Sequence, residues 1–368
     1  MNAATRDDGI DALRGLSILL VLLHHFNIAY PLRDTALGGP PGWPLLHAIA
    51  RNGNYAVTIF FVISGFLITR NALERWGRLD AIRPASFWLL RLARIVPTLV
   101  LTLLLVDALA LAGLPLFGNR AGSAISLWTV NAAALGAWMN ALIIREGWIN
   151  YPLGVMWSLS VEMAFYLLFP LACVLLRRAW LLQALAMLLI AAGPLYRLAN
   201  QGAGEAWLYG YAACFDAVAI GCCAAALARR RAWPALRPPG PRARGDRHGR
   251  ALPGMADQPE QYPWRQRHRR GNGPAAARRA AGRPSAPGPA RRLLMRCGRD
   301  CYEIYLLHLL VLGLLRTALP PAQLAGDARL ALLPGYFIGS CLLGIWIARV
   351  YSTPLNRWLR TWGNRTGR

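Results

Sequence analysis

Eight stretches of this chain, near residues 12–30, 55–70, 88–112, 155–176, 180–198, 206–228, 300–318 and 330–350, are apolar enough to lie in a lipid bilayer. A spanning helix needs about 20 such residues, so most of these runs are long enough to cross. In hydrocarbon a helix satisfies its backbone N–H and C=O groups within its own segment, which is what lets it span. With 55% hydrophobic residues overall, the expected fold class is all-α, a polytopic transmembrane helix bundle.

The charge pattern fits that reading. The net charge is +24, and all 41 basic residues are arginine. Residues 229–292 alone hold 17 arginines against Asp246, Asp257 and Glu260, so the excess is local and does not point to a nucleic-acid partner. Elsewhere arginines flank the apolar runs: Arg70, Arg75, Arg78 and Arg83 after the second, Arg177 and Arg178 after the fourth, Arg229 to Arg231 after the sixth, Arg349, Arg357 and Arg360 after the last. Positive residues favour the cytoplasm, which predicts both termini on that side. Seven cysteines without a CxxC pair specify neither a disulfide framework nor a metal site. No small-residue cleavage signature follows the first run, which is read as a retained helix.

Two segments stand apart. Residues 124–144 could cross, but a crossing there would put Arg177 and Arg178 outside; Trp128, Asn131, Trp138 and Asn140 favour an interfacial or re-entrant helix, with a ninth crossing as the alternative. Residues 229–292 hold 11 of the 25 prolines and no periodicity, which reads as a disordered basic loop or as out-of-frame translation of G+C-rich DNA that has replaced a helix pair. The chain thus divides into 1–228, a low-complexity 229–292, and 293–368.

Ionisable groups inside apolar runs cost several kcal/mol, roughly 2.5 to 3.5 on insertion scales, and mark functional sites or paired structural ones. In LRGLSILLVLLHHFN (13–27), Arg14 and His25 are 11 residues apart and share one helical face, about 16 Å apart along the axis. A snorkelling, orienting arginine and a helix–helix histidine contact are the bland alternatives. In MWSLSVEMAFYLLFP (156–170), Glu162 lies between Ser158 and Tyr166 on one face and must be paired, hydrogen-bonded or protonated; Arg14 or an arginine of the third run is a candidate partner, and a purely structural ion pair is the alternative. In FWLLRLARIVP (87–97), Arg91 and Arg94 share a face and suit phosphate, or merely set orientation. FFVISGFLIT (60–69) offers Ser64 and Gly65 for close packing. YEIYLLHLLV (302–311) offers Tyr302, Tyr305 and His308, with interfacial anchoring the simplest role for the tyrosines.

These five motifs, in this order, make the chain resemble the bacterial membrane-bound acyltransferase family 3 over residues 10–228 and 293–350. The resemblance implies a bundle of about ten membrane helices in a bacterial inner membrane, of which eight are evident here. It also implies transfer of an acyl group, often acetyl, from acyl-coenzyme A to a hydroxyl of a cell-surface carbohydrate or glycolipid. It makes His25 the catalytic histidine, with Arg14 in the same motif. On this reading His25 is the general base, as an imidazole of ordinary pKa, about 6.5, suits proton transfer at pH 7. An acyl-histidine relay is the alternative route. Arg14, Arg91 and Arg94 bind the coenzyme A phosphates, and Glu162 pairs with an arginine or orients His25. No permanently bound cofactor or metal is expected. The rival from another class is a secondary transporter or lipid-linked sugar carrier. Haem binding is disfavoured, because adjacent His24 and His25 point about 100° apart.

Overall fold

A computed structural model describes residues 7–39, 42–236 and 288–366. Its elements in order are α1 (Asp8–Ala29), α2 (Trp43–Arg51), α3 (Gly53–Trp76), α4 (Pro84–Leu111), α5 (Leu127–Leu135), α6 (Met139–Glu146), α7 (Met156–Leu176), α8 (Ala179–Ala199), α9 (Ala206–Tyr209) and α10 (Tyr211–Leu236). The C-terminal part holds α11 (Pro289–Arg299), α12 (Cys301–Ala318), α13 (Ala328–Ile347) and, after the π-helical turn Ala348–Ser352, α14 (Thr353–Thr366). Among the described residues eight helical stretches are long and apolar enough to cross a membrane, and they coincide with the eight runs seen in the sequence. The protein is an all-α, multi-pass membrane bundle.

The segment at 124–144 makes no ninth crossing. It breaks at Gly136–Trp138, where Ala137 takes φ 62°, into α5 and α6 of 9 and 8 residues, too short to span. Met139 N–H at the break donates to Ser160 Oγ (3.0 Å), so this freed backbone group finds a partner in the protein, and nearby Asn131 Nδ2 donates to Asp107 (2.6 Å). The low-complexity segment lies mostly outside the described residues. At its margins α10 runs on to Leu236 and α11 begins at Pro289, so helix enters it from both sides.

Small residues set how the helices meet. A Cβ on Gly65 of α3 would lie 2.1 Å from Val218 O, and one on Gly221 of α10 would lie 2.0 Å from Val62 O. These two helices therefore touch backbone to backbone, the usual way of gaining dispersion contact where lipid supplies no hydrophobic drive. Gly15 of α1 and Gly298 of α11 make the same kind of contact, with Leu294 O and Asp11 O. At the outside, Leu175, Met187, Leu188 and Leu195 are exposed, as suits side chains facing acyl chains.

Helix directions follow from pairs of contacts. His24 faces Gly53 while Arg70 approaches Asp7 (3.9 Å), so α1 and α3 are antiparallel. Arg14 lies beside Cys301 and His25 beside His308, so α1 and α12 run the same way. Ile304 packs on Gly344 and Val311 on Gly339, so α13 returns antiparallel to α12.

Candidate active site

Two layers of polar side chains inside the bundle form the candidate site. One surrounds His25 and the other surrounds Arg14, and helix geometry separates them by about 16 Å. By the same rise Ser64, 11 residues beyond Gly53 on α3, stands at the height of Arg14 and not of His25.

In the histidine layer the hydrogen-bond acceptors assign the tautomers. Nδ1 of fully buried His308 lies 2.6 Å from the Tyr305 carbonyl, which can only accept, so this nitrogen carries the proton and Nε2 presents a lone pair. Nδ1 of His25 lies 3.0 Å from Val21 O and 3.3 Å from that His308 Nε2. Both accept, so His25 is protonated at Nδ1 and its Nε2 is the basic nitrogen. That Nε2 has no hydrogen-bond partner among the described residues, and it is not among the polar atoms sealed from solvent without one. His24 is held apart, with Nδ1 3.0 Å from Ala50 O.

Between the layers, Ser158 Oγ and Tyr305 OH share a hydrogen bond of 2.7 Å, and the Tyr305 hydroxyl also reaches Val155 O (3.1 Å). Phe60 packs edge-on against the Tyr305 ring at 6.5 Å.

In the second layer Arg94 forms two hydrogen bonds to the fully buried Glu303 (2.5 and 3.1 Å), and its guanidinium lies over Tyr302 (5.3 Å). Such a bidentate pair answers the cost of burying each charge, and losing either partner would strand the other. Arg14 lies beside Cys301, with Asp11 and Arg94 as further neighbours. Arg91 sits 5.5 Å from the ring centroids of both Phe87 and Tyr166, and its buried Nε has no hydrogen-bond partner. Arg360 of α14 adds positive charge next to it, with Arg75 of α3 as a further neighbour of Arg360, and Arg360 Nε is also buried and unpartnered.

The sequence expectation for Glu162 meets a different geometry. Among the described residues neither an arginine nor His25 holds it: Ser64 Oγ donates to Oε1 at 2.6 Å, and the Tyr166 hydroxyl donates to the same oxygen. Arg91 touches this group only through the face of Tyr166. Arg94, expected to be open to phosphate, is occupied by Glu303. Of the two residues that matter most to the layers, His308 was already singled out in YEIYLLHLLV, but Glu303 carried little signal, because an acid in a first helical turn reads as a dipole partner.

A membrane bundle with an oriented imidazole at one depth and an arginine cluster at another is suited to proton transfer from a substrate whose anionic part lies elsewhere. The sequence model of a family described as an acyltransferase domain matches residues 7–235, and the chain belongs to that family. The match ends before α11 and α12, which supply Cys301, Glu303 and His308. Among similar proteins, peptidoglycan O-acetyltransferase OatA of Listeria monocytogenes is 27% identical over 162 residues, covering 44% of this chain and 23% of that protein. O-acetyltransferase OatA of Staphylococcus aureus is 30% identical over 171 residues, covering 44% and 24%. The chain thus spans about a quarter of the length of these relatives. No solved structure matches.

Proposed function

We propose that this protein is an integral membrane O-acyltransferase that moves an acyl group, of the acetyl type, from acyl-coenzyme A to a hydroxyl of a cell-surface carbohydrate or glycolipid. Similarity to the O-acetyltransferases supports the reaction class. The observation that carries the reading is the chain of acceptors behind His25, which fixes Nδ1–H and leaves Nε2 as a free base.

His25 Nε2 takes the proton of the acceptor hydroxyl as its oxygen attacks the thioester carbonyl. The tetrahedral intermediate collapses with cleavage of the C–S bond, and the imidazolium returns the proton to the departing coenzyme A thiolate. The positive charge that forms on His25 is spread along the Nδ1–H contact to His308 and Val21 O. Arg91, whose buried Nε lacks a partner, suits a phosphate of the donor together with Arg14, whereas the charge of Arg94 is neutralised by Glu303. With the phosphates at the arginine layer and the thioester at the histidine layer, the donor lies along the polar seam past Ser158 and Tyr305. A bacterial cytoplasmic membrane with both termini inside fits this arrangement, because it turns the arginine layer towards the coenzyme A pool.

Membranes holding the full chain, given labelled acetyl-coenzyme A and host polysaccharide, provide the test. Transfer should fall by about 10²-fold or more in His25→Ala at equal expression. Undiminished transfer would remove His25 from the mechanism. Saturable transport of a sugar with no binding of acetyl-coenzyme A would favour the transporter reading instead.

A further inference from the structure

Eight residues beyond His308, α12 carries Arg316, about 12 Å further along the axis and at the end of the bundle opposite the arginine layer. Its guanidinium lies 4.8 Å from the centroid of the Tyr151 ring, and no carboxylate among the described residues pairs with it. An arginine that merely snorkelled to the interface would wet its head. Here Nε is buried without a hydrogen-bond partner. The Tyr151 hydroxyl stands beside the Arg316 side chain and the Tyr336 hydroxyl beside Ser340 Oγ, but neither pair closes into a formed hydrogen bond.

These atoms come from three elements that converge beside the histidine pair. Tyr336 stacks on Phe26, the residue after His25, at 5.7 Å, and Tyr30 packs on the same ring at 5.2 Å while its hydroxyl bonds Leu319 O (2.8 Å). Because α13 runs antiparallel to α12 with Gly344 against Ile304, Ser340 stands at the height of His308. Buried donors and acceptors left unpaired are unfavourable, and a set of them leading from a base to the bundle end is what a polyhydroxylated ligand would complete. Burial pushes the Tyr151 and Tyr30 phenols up, so both stay protonated and able to donate.

We propose that Arg316, Tyr151, Tyr336 and Ser340 form the acceptor subsite, and that the acceptor is a saccharide bearing an anionic group, carboxylate or phosphate, held by Arg316. This rests on the acyl-transfer reading above. The fork binds the anion in bidentate fashion, the three hydroxyls pair with sugar hydroxyls, and the reacting hydroxyl faces His25 Nε2.

The test is equilibrium binding to the full chain in lipid nanodiscs, with three probes: a uronate-containing tetrasaccharide, its carboxyl-reduced neutral form, and a phosphorylated tetrasaccharide. At least one charged form should bind about tenfold or more tightly than the neutral one. Which charged form wins names the anion. The preference should vanish in Arg316→Gln and return in part in Arg316→Lys. Equal binding of charged and neutral forms, no binding of any probe, or an undiminished preference in Arg316→Gln would overturn the proposal. Charge-selective binding without acyl transfer from acetyl-coenzyme A in the same preparation would instead remove the transfer reading and leave the subsite standing.

Discussion

Replacing His308 by Asn separates orientation of the base from the base itself. In the resting site His308 Nε2 accepts from His25 Nδ1–H at 3.3 Å, and Asn is too short to present an acceptor there, although its amide can still donate to Tyr305 O. Val21 O remains at 3.0 Å, so the tautomer of His25 is retained and the loss is confined to one hydrogen bond. In the ground state that bond joins two neutral rings. In the transition state its donor is an imidazolium, and a hydrogen bond from a charged group contributes about 1.5 to 3 kcal/mol. A bond between neutral groups contributes about 0.5 to 1.5 kcal/mol, so the variant loses a difference of about 1 to 1.5 kcal/mol, and at about 1.4 kcal/mol per factor of ten kcat should fall roughly 5- to 12-fold with little change in the KM for acetyl-coenzyme A. His308→Gln places an amide oxygen near the position of Nε2 and should recover most of the rate. The assay is acetyl transfer by membrane-embedded enzyme, with the pH–rate profile measured for each variant. A wild-type kcat in His308→Asn, or equal losses in Asn and Gln variants, would refute the idea that His308 acts as an acceptor for His25.

Two further changes probe the bundle. Glu303→Gln strands Arg94 inside the protein and should destabilise it by about 3 to 5 kcal/mol, read as a lower Tm in detergent, while Arg94→Met with Glu303→Leu should recover much of the loss. Gly65→Ala and Gly221→Ala each drive a methyl group into the facing backbone carbonyl and should cost about 1 to 3 kcal/mol, whereas Gly335→Ala, which meets nothing within 4 Å, serves as a control expected to leave Tm near wild type.

Much of the architecture can be read along the chain because membrane insertion is a local matter. Each crossing depends on the hydrophobicity of its own residues, so all eight runs emerged as helices near the expected limits. That 124–144 does not cross was also legible, since Trp128, Asn131, Trp138 and Asn140 suit an interface better than a bilayer core, but its division into two helices was not. Arg14 and His25 were recognisable as a pair on one face, because both lie on α1 and helix geometry alone relates them.

Partnership across helices was not legible in the same way. Glu162 needed a partner by its chemistry, yet whether Arg14, Arg94 or Ser64 supplied it depended on how α3, α4 and α7 face one another. Glu303 and His308 each have only a local environment in the sequence. Their roles arise from Arg94, 209 positions away, and from His25, 283 positions away. Hydrophobic patterning thus determines which segments cross and which faces carry polar groups, since lipid acts on each helix separately. Only the tertiary structure decides which of those groups meet, because hydrogen bonds and ion pairs act over a few ångströms and depend on rotation and register that no single segment encodes.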